Sequence, residues 1–324
     1  MKKNIFITLL LAFSVFALSA CGNGNTSGQS GNNSSSDDGT YSFAFLTNTQ
    51  NNTFQTAIND KFSEIAKEKG YKYTMLDPDY DLNKQINQMS DAANQGFDAV
   101  FVIPVDSAGI RQGLEAMNDK QIPIFNVDTA VIEEDRDLVQ SIIATDAFMA
   151  GQLIGQQMVA DYPEGAKIAI LDFPSNESCV LRVEGFLAGL GDSKGKFEIV
   201  AQQDGKASLD ASLPIAEDII QAHSDINAFF AINDPSALGV SAAISASSKT
   251  DIAVYSIDAS PDGKSALLDG SFTAVSAQVP IQIAETAMDM AVKFLDGQDV
   301  EKEVLLPSHI VTKEMAEETT SLWQ

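Results

Sequence analysis

From Tyr41 onward the sequence repeats one grammar, and that grammar constrains the fold more than any other feature. A short apolar run ends in a small polar cluster, and an amphipathic helical stretch follows. The stretch Ala228 to Gly239 shows it most cleanly. Ala228 to Ile232 is continuously apolar, Asn233 and Asp234 interrupt it, and Pro235 opens a helical pattern. Apolar strand, polar loop and helix make one βα unit of a parallel sheet. Pro235 suits the first helical turn, where its missing N–H costs nothing. The stretch alone leaves Asn233 and Asp234 open to two roles. Both residue types cap helices well, and both stand where open α/β sheets bind ligands, at the carboxyl end of a strand.

The same unit recurs along the chain. Strands are expected at Tyr41–Thr47, Tyr71–Leu76, Asp98–Ile103 and Ile122–Val127, with helices at Phe54–Lys69, Leu82–Gln95 and, after Ser107, to about Lys120. After Asp146 the order restarts. Strands are expected at Lys167–Leu171, Phe197–Ala201, Ala228–Ile232, Ile252–Ile257 and Thr273–Ala277. Helices alternate with them at Phe148–Ala160, around Arg182–Leu190, at Leu209–Ala222, and from Pro235, Pro261 and Ile281. Short strands at Val304–Leu306 and near His309–Thr312 close the pattern. Strict alternation predicts doubly wound parallel sheets. About ten strands in two runs, with no Pro- or Gly-rich linker between them, predict two lobes with a ligand site between them.

The start of the chain carries an address. Lys2 and Lys3 precede an apolar stretch, Ile5 to Leu18, which is too short and wrongly flanked for a membrane span. Leu18-Ser19-Ala20-Cys21-Gly22 then resembles the lipobox of bacterial lipoproteins. The resemblance implies a signal sequence over Met1 to Ala20, cleavage before Cys21, and a lipid (palmitate-bearing) on its sulfur. Gly22 to Thr40 has no apolar residue, so residues 21–40 read as a flexible tether. Such a chain spans roughly 25 Å root-mean-square. Gly22, Gly24 and Gly28 have no strand before them and no helix after them, so they are no dinucleotide loop.

Composition excludes several classes. Cys179 is the only cysteine besides Cys21, and the chain has 2 His. That is a poor basis for a disulfide framework, a zinc site or a nucleophilic triad. Cys179 reads as structural. The formal charge of −25 repels nucleic acid phosphates and anionic lipid headgroups, so any membrane association is by lipid anchor only. Asp77-Pro78-Asp79-Tyr80-Asp81 offers oxygen ligands but lacks the Gly and terminal Glu of a calcium loop, and reads as a capped turn. Tyr80 and Phe173 are open to either cleft or core packing. No cofactor or metal motif is found, and no enzyme is expected.

Several motifs together carry a family resemblance. They are Asn51-Asn52-Thr53-Phe54, Ile103-Pro104-Val105-Asp106-Ser107, Ile122-Pro123-Ile124 through Asp128, and Glu184-Gly185-Phe186. With them go Ala231-Ile232-Asn233-Asp234, Asp258 with Pro261-Asp262-Gly263, and Ala277-Gln278-Val279-Pro280. From Tyr41 on, the chain resembles the ribose-type periplasmic sugar-binding proteins that serve ABC importers. The resemblance implies a type I periplasmic-binding-protein fold with a three-crossover hinge. It implies an N-terminal lobe of 41–145 plus 279–307 and a C-terminal lobe of 146–278 plus 308–324.

The resemblance also implies ligand contacts from Asn52, Phe54, Asp128, Asn233, Asp258 and Gln278, with Asn51, Thr129, Val180 and Ala207 as weaker candidates. Asp234 is assigned to capping. Arginines usual in the family are replaced by Thr129 and Val180, Gln55 replaces an aromatic, and Ala207 stands at a further wall position. Arg182 matches a structural arginine. A pocket with two carboxylates and no arginine is expected to disfavour anions and to take a neutral or amine-bearing sugar or polyol. Val180 and Ala207 are expected to leave room for a larger one. The expected protein is a lipid-anchored extracytoplasmic monomer that serves an ABC permease. The alternative is a surface sensor presenting ligand to a membrane kinase or chemoreceptor. A sugar-responsive transcription regulator shares the fold, but it would need a DNA-binding helix-turn-helix where this chain has a signal and tether.

Overall fold

The computed structural model describes residues 40–249 and 251–323. The signal sequence, Cys21 and the expected tether up to residue 39 lie outside them. The described chain runs β1(Ser42–Leu46), α1(Thr53–Lys69), β2(Lys72–Leu76), α2(Leu82–Gln95), β3(Ala99–Val102), α3(Arg111–Asp119), β4(Ile124–Val127) and β5(Ser141–Thr145). It continues α4(Ala147–Asp161), β6(Lys167–Asp172), α5(Glu177–Gly189), β7(Glu198–Asp204), α6(Leu209–Ala222), β8(Ala228–Ala231) and α7(Asp234–Ala246). Then come β9(Ala253–Asp258), α8(Pro261–Asp269), β10(Ala274–Ala277), α9(Pro280–Leu295), β11(Glu303–Leu306) and α10(Lys313–Thr319).

The strands form two sheets, both parallel throughout. One has the order β11-β5-β4-β3-β1-β2 and the other β10-β9-β8-β6-β7. Alternate residues of each strand feed opposite faces. Phe43 and Phe45 join Phe62, Phe101 and Phe125 in a core beside α1 and α9. Ala44 and Leu46 join Met89, Leu114 and Val100 under α2 and α3. In the second sheet Phe229 faces α6 to α8, while Phe230 stacks on Phe186 of α5 at 4.4 Å.

The chain passes between the sheets three times, near residues 146, 278 and 308, and the passages bond to one another. Asp146 N donates to Leu306 O at 2.8 Å, Ala277 N to His309 O at 2.8 Å, and Val279 N to Thr145 Oγ1 at 3.4 Å. Three strands side by side can bend together without parting, which is the geometry of a hinge.

Helices α4 and α5 approach unusually closely. A Cβ on Gly151, Gly155, Gly185 or Gly189 would stand 2.0 to 2.3 Å from a carbonyl oxygen of the facing helix. These glycines let the two backbones touch, and α5 is thereby held where its side chains reach the second sheet.

One strand was not foreseen and two expectations fail here. β5 falls where no element was expected, although Ser141-Ile-Ile-Ala-Thr145 is apolar enough to be a buried strand. The strand expected at His309–Thr312 reduces to one antiparallel bridge, Ser276 to Ile310, and the unexpected α10 follows. The helix expected from Arg182 begins five residues earlier, at Glu177, with Asn176 as its cap, accepting from Cys179 N at 3.1 Å.

Candidate ligand-binding site

The carboxyl ends of both sheets face one narrow cavity of about 40 Å³. The first sheet contributes Asn48 after β1, then Asn52, Phe54 and Gln55 at the start of α1, Tyr80 after β2, and Asp128 and Thr129 after β4. The second contributes Phe173, Asn176, Ser178, Cys179 and Arg182 after β6, Ala207 after β7, Asn233 after β8, Asp258 after β9 and Gln278 after β10. Parallel sheets place such loops together because every strand points the same way.

All six principal candidates, Asn52, Phe54, Asp128, Asn233, Asp258 and Gln278, line this cavity, as do Thr129 and Ala207. Asn51 does not. It is exposed and donates to Asp79 Oδ1 at 2.9 Å. Val180 does not either. On a helix, residues three apart share a face and adjacent ones diverge by about 100°. Cys179 and Arg182 therefore face the cavity and Val180 turns away.

Arg182 corrects the expectation of a pocket without arginine. Its Nη1 donates to Ile232 O at 2.8 Å and stands 3.7 Å from Asp258 Oδ1. Asp258 also accepts from Gln278 Nε2 at 2.7 Å and from Asp234 N at 3.2 Å. Asp234, expected to cap α7, does something else. Asn233 is the cap, accepting from Ser236 N at 3.0 Å while its Nδ2 donates to Ala207 O. Asp234 is the buried residue beyond it and accepts from Ser256 Oγ, Ser260 N and Ser260 Oγ at 2.7 to 2.8 Å. It thereby ties the start of α7 to the turn that carries Asp258.

Burial raises the carboxylates. Asp128 is pushed up to about 6 by burial, with Arg182 opposing and Asp258 adding to the shift. Asp234 is raised to about 7 by burial and by Asp258. Asp258 is raised by burial against the pull of Arg182. One guanidinium thus serves two buried acids, Asp128 and Asp258. Burial also pushes the Cys179 thiol up to about 12, so it is an inert wall group.

Three cavity-lining side chains hold buried polar atoms that have no partner: Asn48 Oδ1, Gln55 Oε1 and Arg182 Nε. An unmet buried group costs about 1–3 kcal/mol, so a cavity that gathers three invites a polar occupant. Backbone strain gathers here too. Asp79, Tyr80, Asp128, Lys206, Ala207, Asp258 and Ala259 have positive φ, each at the cavity or beside a residue lining it. Such strain concentrates at ligand clamps.

The lobes meet around this cavity. Asn176 Nδ2 donates to Thr129 Oγ1 at 2.9 Å, Ser178 Oγ to Asp128 O at 3.2 Å, and Glu177 N to Ser107 Oγ at 3.1 Å. These bonds close the cleft. The room expected at Val180 and Ala207 is not found, because Val180 is elsewhere and Tyr80 and Phe173 complete the wall.

Among the described residues, no group of three or more His, Cys, Asp or Glu is placed to hold a metal ion, and no helix is long and apolar enough to cross a membrane. The Asp77 to Asp81 segment is a bonded turn. Asp77 accepts from Gln50 N and Asp79 N, and Asp81 caps α2.

Residues 43–299 match the periplasmic binding protein domain. The chain belongs to that family. It is a solute-binding protein of two parallel-sheet lobes and not an enzyme. A ribose import binding protein of Bacillus subtilis is 29% identical over 314 residues, covering 97% of this chain and all of that protein. One from Escherichia coli is 29% identical over 272 residues, covering 84% of this chain and 90% of that protein. Among solved structures, a Mycobacterium smegmatis protein in complex with β-D-fucofuranose superposes with TM-score 0.81 at 27% identity, covering 86% of this chain and 93% of that one.

The residues that sequence reasoning missed are Asn48, Gln55, Asn176, Ser178, Cys179 and Arg182. Asn48 lies four residues before Asn52 in the same loop, and Gln55 directly follows Phe54. Cys179 and Arg182 were read as structural, and Asn176 and Ser178 belong to the start of α5, for which Asn176 three residues before Cys179 is the signal.

Proposed function

We propose that this protein captures a small sugar or polyol, neutral or amine-bearing, between its lobes and delivers it to an ABC permease. Asn52, Asp128, Asn233, Asp258 and Gln278 would read its hydroxyls, and Phe54 would cover its C–H face. The observation that carries this reading is the set of unpartnered atoms on Asn48, Gln55 and Arg182 in one cavity with buried carboxylates. Hydroxyls can donate to Asp128, Asp258, Asn48 and Gln55 and accept from Arg182 at once, which no purely anionic or purely apolar group can do. Anions are disfavoured because one arginine, already engaged with Asp258, is set against two buried acids in the same cavity, Asp128 and Asp258. Relatives named for ribose and for fructose import support the sugar class.

Closure is the working step. Ligand bridging Asp128 on one lobe and Asp258 on the other binds the closed form better than the open one, and so shifts the population toward it. A lipid on Cys21 would keep the monomeric domain beside its permease and raise the effective concentration there. Native mass spectrometry of the purified protein, followed by thermal-shift screening across sugars, polyols, amino sugars and sugar phosphates, tests the reading. A bound sugar or polyol is expected. Stabilisation by sugar phosphates alone would sink it.

A further inference from the structure

Trp323, the only tryptophan of the chain, stands edge-on to Phe54. Their ring centroids are 5.4 Å apart and their planes meet at 79°, an edge-to-face arrangement. Phe54 belongs to the first lobe. It lies in the first turn of α1, packs into the core under the first sheet, and lines the ligand cavity.

The backbone that presents Trp323 is fastened to the second lobe. Helix α10 packs on α8, and Ala316 and Met315 join the core of the second sheet. Lys264 of α8 is fully buried. Its Nζ donates to Thr319 O at 2.7 Å, to Thr319 Oγ1 at 3.2 Å and to Leu322 O. A buried ammonium is tolerated only where acceptors surround it. Here all three acceptors come from the last turn of α10 and the residues just after it. Burial lowers the Lys264 pKa, while Asp234 nearby opposes that change.

Residue 322 is thus bolted to one lobe, and the indole of residue 323 lies against a cavity wall of the other. We infer that Trp323 is a positioning residue for ligand capture. It backs Phe54 in the closed form, and lobe opening separates the two rings. When the second lobe rotates away, Lys264 carries Leu322 with it, so the Trp323–Phe54 contact is made on closure and lost on opening. Phe54 then holds its ring against the ligand only when the lobes are shut. The inference rests on the proposed capture of ligand in this cavity.

The test has a ligand-free arm and a ligand arm. In the first, Thr129→Val removes the bond from Asn176 and favours the open form. Acrylamide quenching of Trp323 fluorescence is expected to rise in this variant. Unchanged quenching, with scattering showing that the lobes have opened, overturns the inference. In the second, D-ribose, D-fructose and myo-inositol are titrated by calorimetry and by fluorescence. Any sugar that binds is expected to change Trp323 emission with the same midpoint. Trp323→Ala is expected to weaken that sugar about three- to tenfold, mostly by faster release, and Trp323→Phe to restore most of the loss. Equal affinity in the wild type and Trp323→Ala overturns the positioning role, even if the variant melts earlier. Calorimetric silence for all three sugars counts against the sugar reading, and the quenching arm still decides the fate of Trp323.

Discussion

The guanidinium of Arg182 lies 3.7 Å from the Asp258 carboxylate, and both side chains are buried. The pair joins α5 to the end of β9, and Arg182 also lowers the neighbouring Asp128 against its burial. Removing one member of a buried pair costs about 3–5 kcal/mol when the other stays charged. Asp258 can escape part of that cost by taking a proton. Arg182→Met is therefore expected to lower the melting temperature strongly at pH 8 and less at pH 5. Equal losses at the two values would mean that the arginine acts by packing alone.

The raised acids give a pH dependence of definite sign. Asp128 titrates near 3.8 in the unfolded chain and near 6 in the folded one. Between these values the folded state holds more protons than the unfolded state, so stability falls as pH rises. The penalty is absent below about pH 4 and complete above about pH 7, where it reaches roughly 2–3 kcal/mol. Asp128→Asn removes it. The stability difference between variant and wild type should therefore grow in the variant's favour from pH 4 to pH 7, measured by denaturant unfolding without ligand. A difference that stays flat across this range would contradict the assignment.

Gln55 separates stability from affinity. Its Oε1 is buried with no partner, so Gln55→Leu relieves an unmet acceptor while keeping the volume. The ligand-free protein is expected to melt at the same temperature or higher. Affinity for the native ligand is expected to fall about tenfold or more, since a hydroxyl loses its acceptor. Calorimetry beside thermal melting reads both. Unchanged affinity would place Gln55 outside the contact set.

Gly185 tests the helix pair behind the site. A Cβ there would stand 2.0 Å from Phe148 O. Gly185→Ala must push α5 from α4 or bend it, at a cost of about 1–3 kcal/mol. Because α5 carries Arg182 into the cavity, ligand affinity is expected to fall with stability. A variant that binds normally would show that α5 can shift without moving Arg182.

Much of this site was legible because parallel βα units put chemistry at strand ends. Asn52, Asp128, Asn233, Asp258 and Gln278 each follow an apolar strand, and periodicity locates such ends to within a residue or two. What escaped was whatever depends on helix phase. The family resemblance put Val180 at a ligand position and Arg182 at a structural one, and the phase of α5 in the fold turns Val180 away and Arg182 in. That changes the electrostatics of the pocket from two bare carboxylates to a compensated cluster.

The order of apolar runs, polar loops and amphipathic helices determined that this chain would form two parallel sheets, because that grammar leaves few other ways to bury both faces of each strand. It also determined which strand ends carry Asp, Asn and Gln. Only the tertiary structure decided what those side chains do. Capping, buttressing and ligand reading use the same atoms, and the choice depends on what else reaches them. Asn233 caps α7 and still lines the cavity. Asp234, one residue on, is spent on Ser256 and Ser260. Trp323 meets Phe54 across 269 positions of sequence, a pairing that no local pattern encodes.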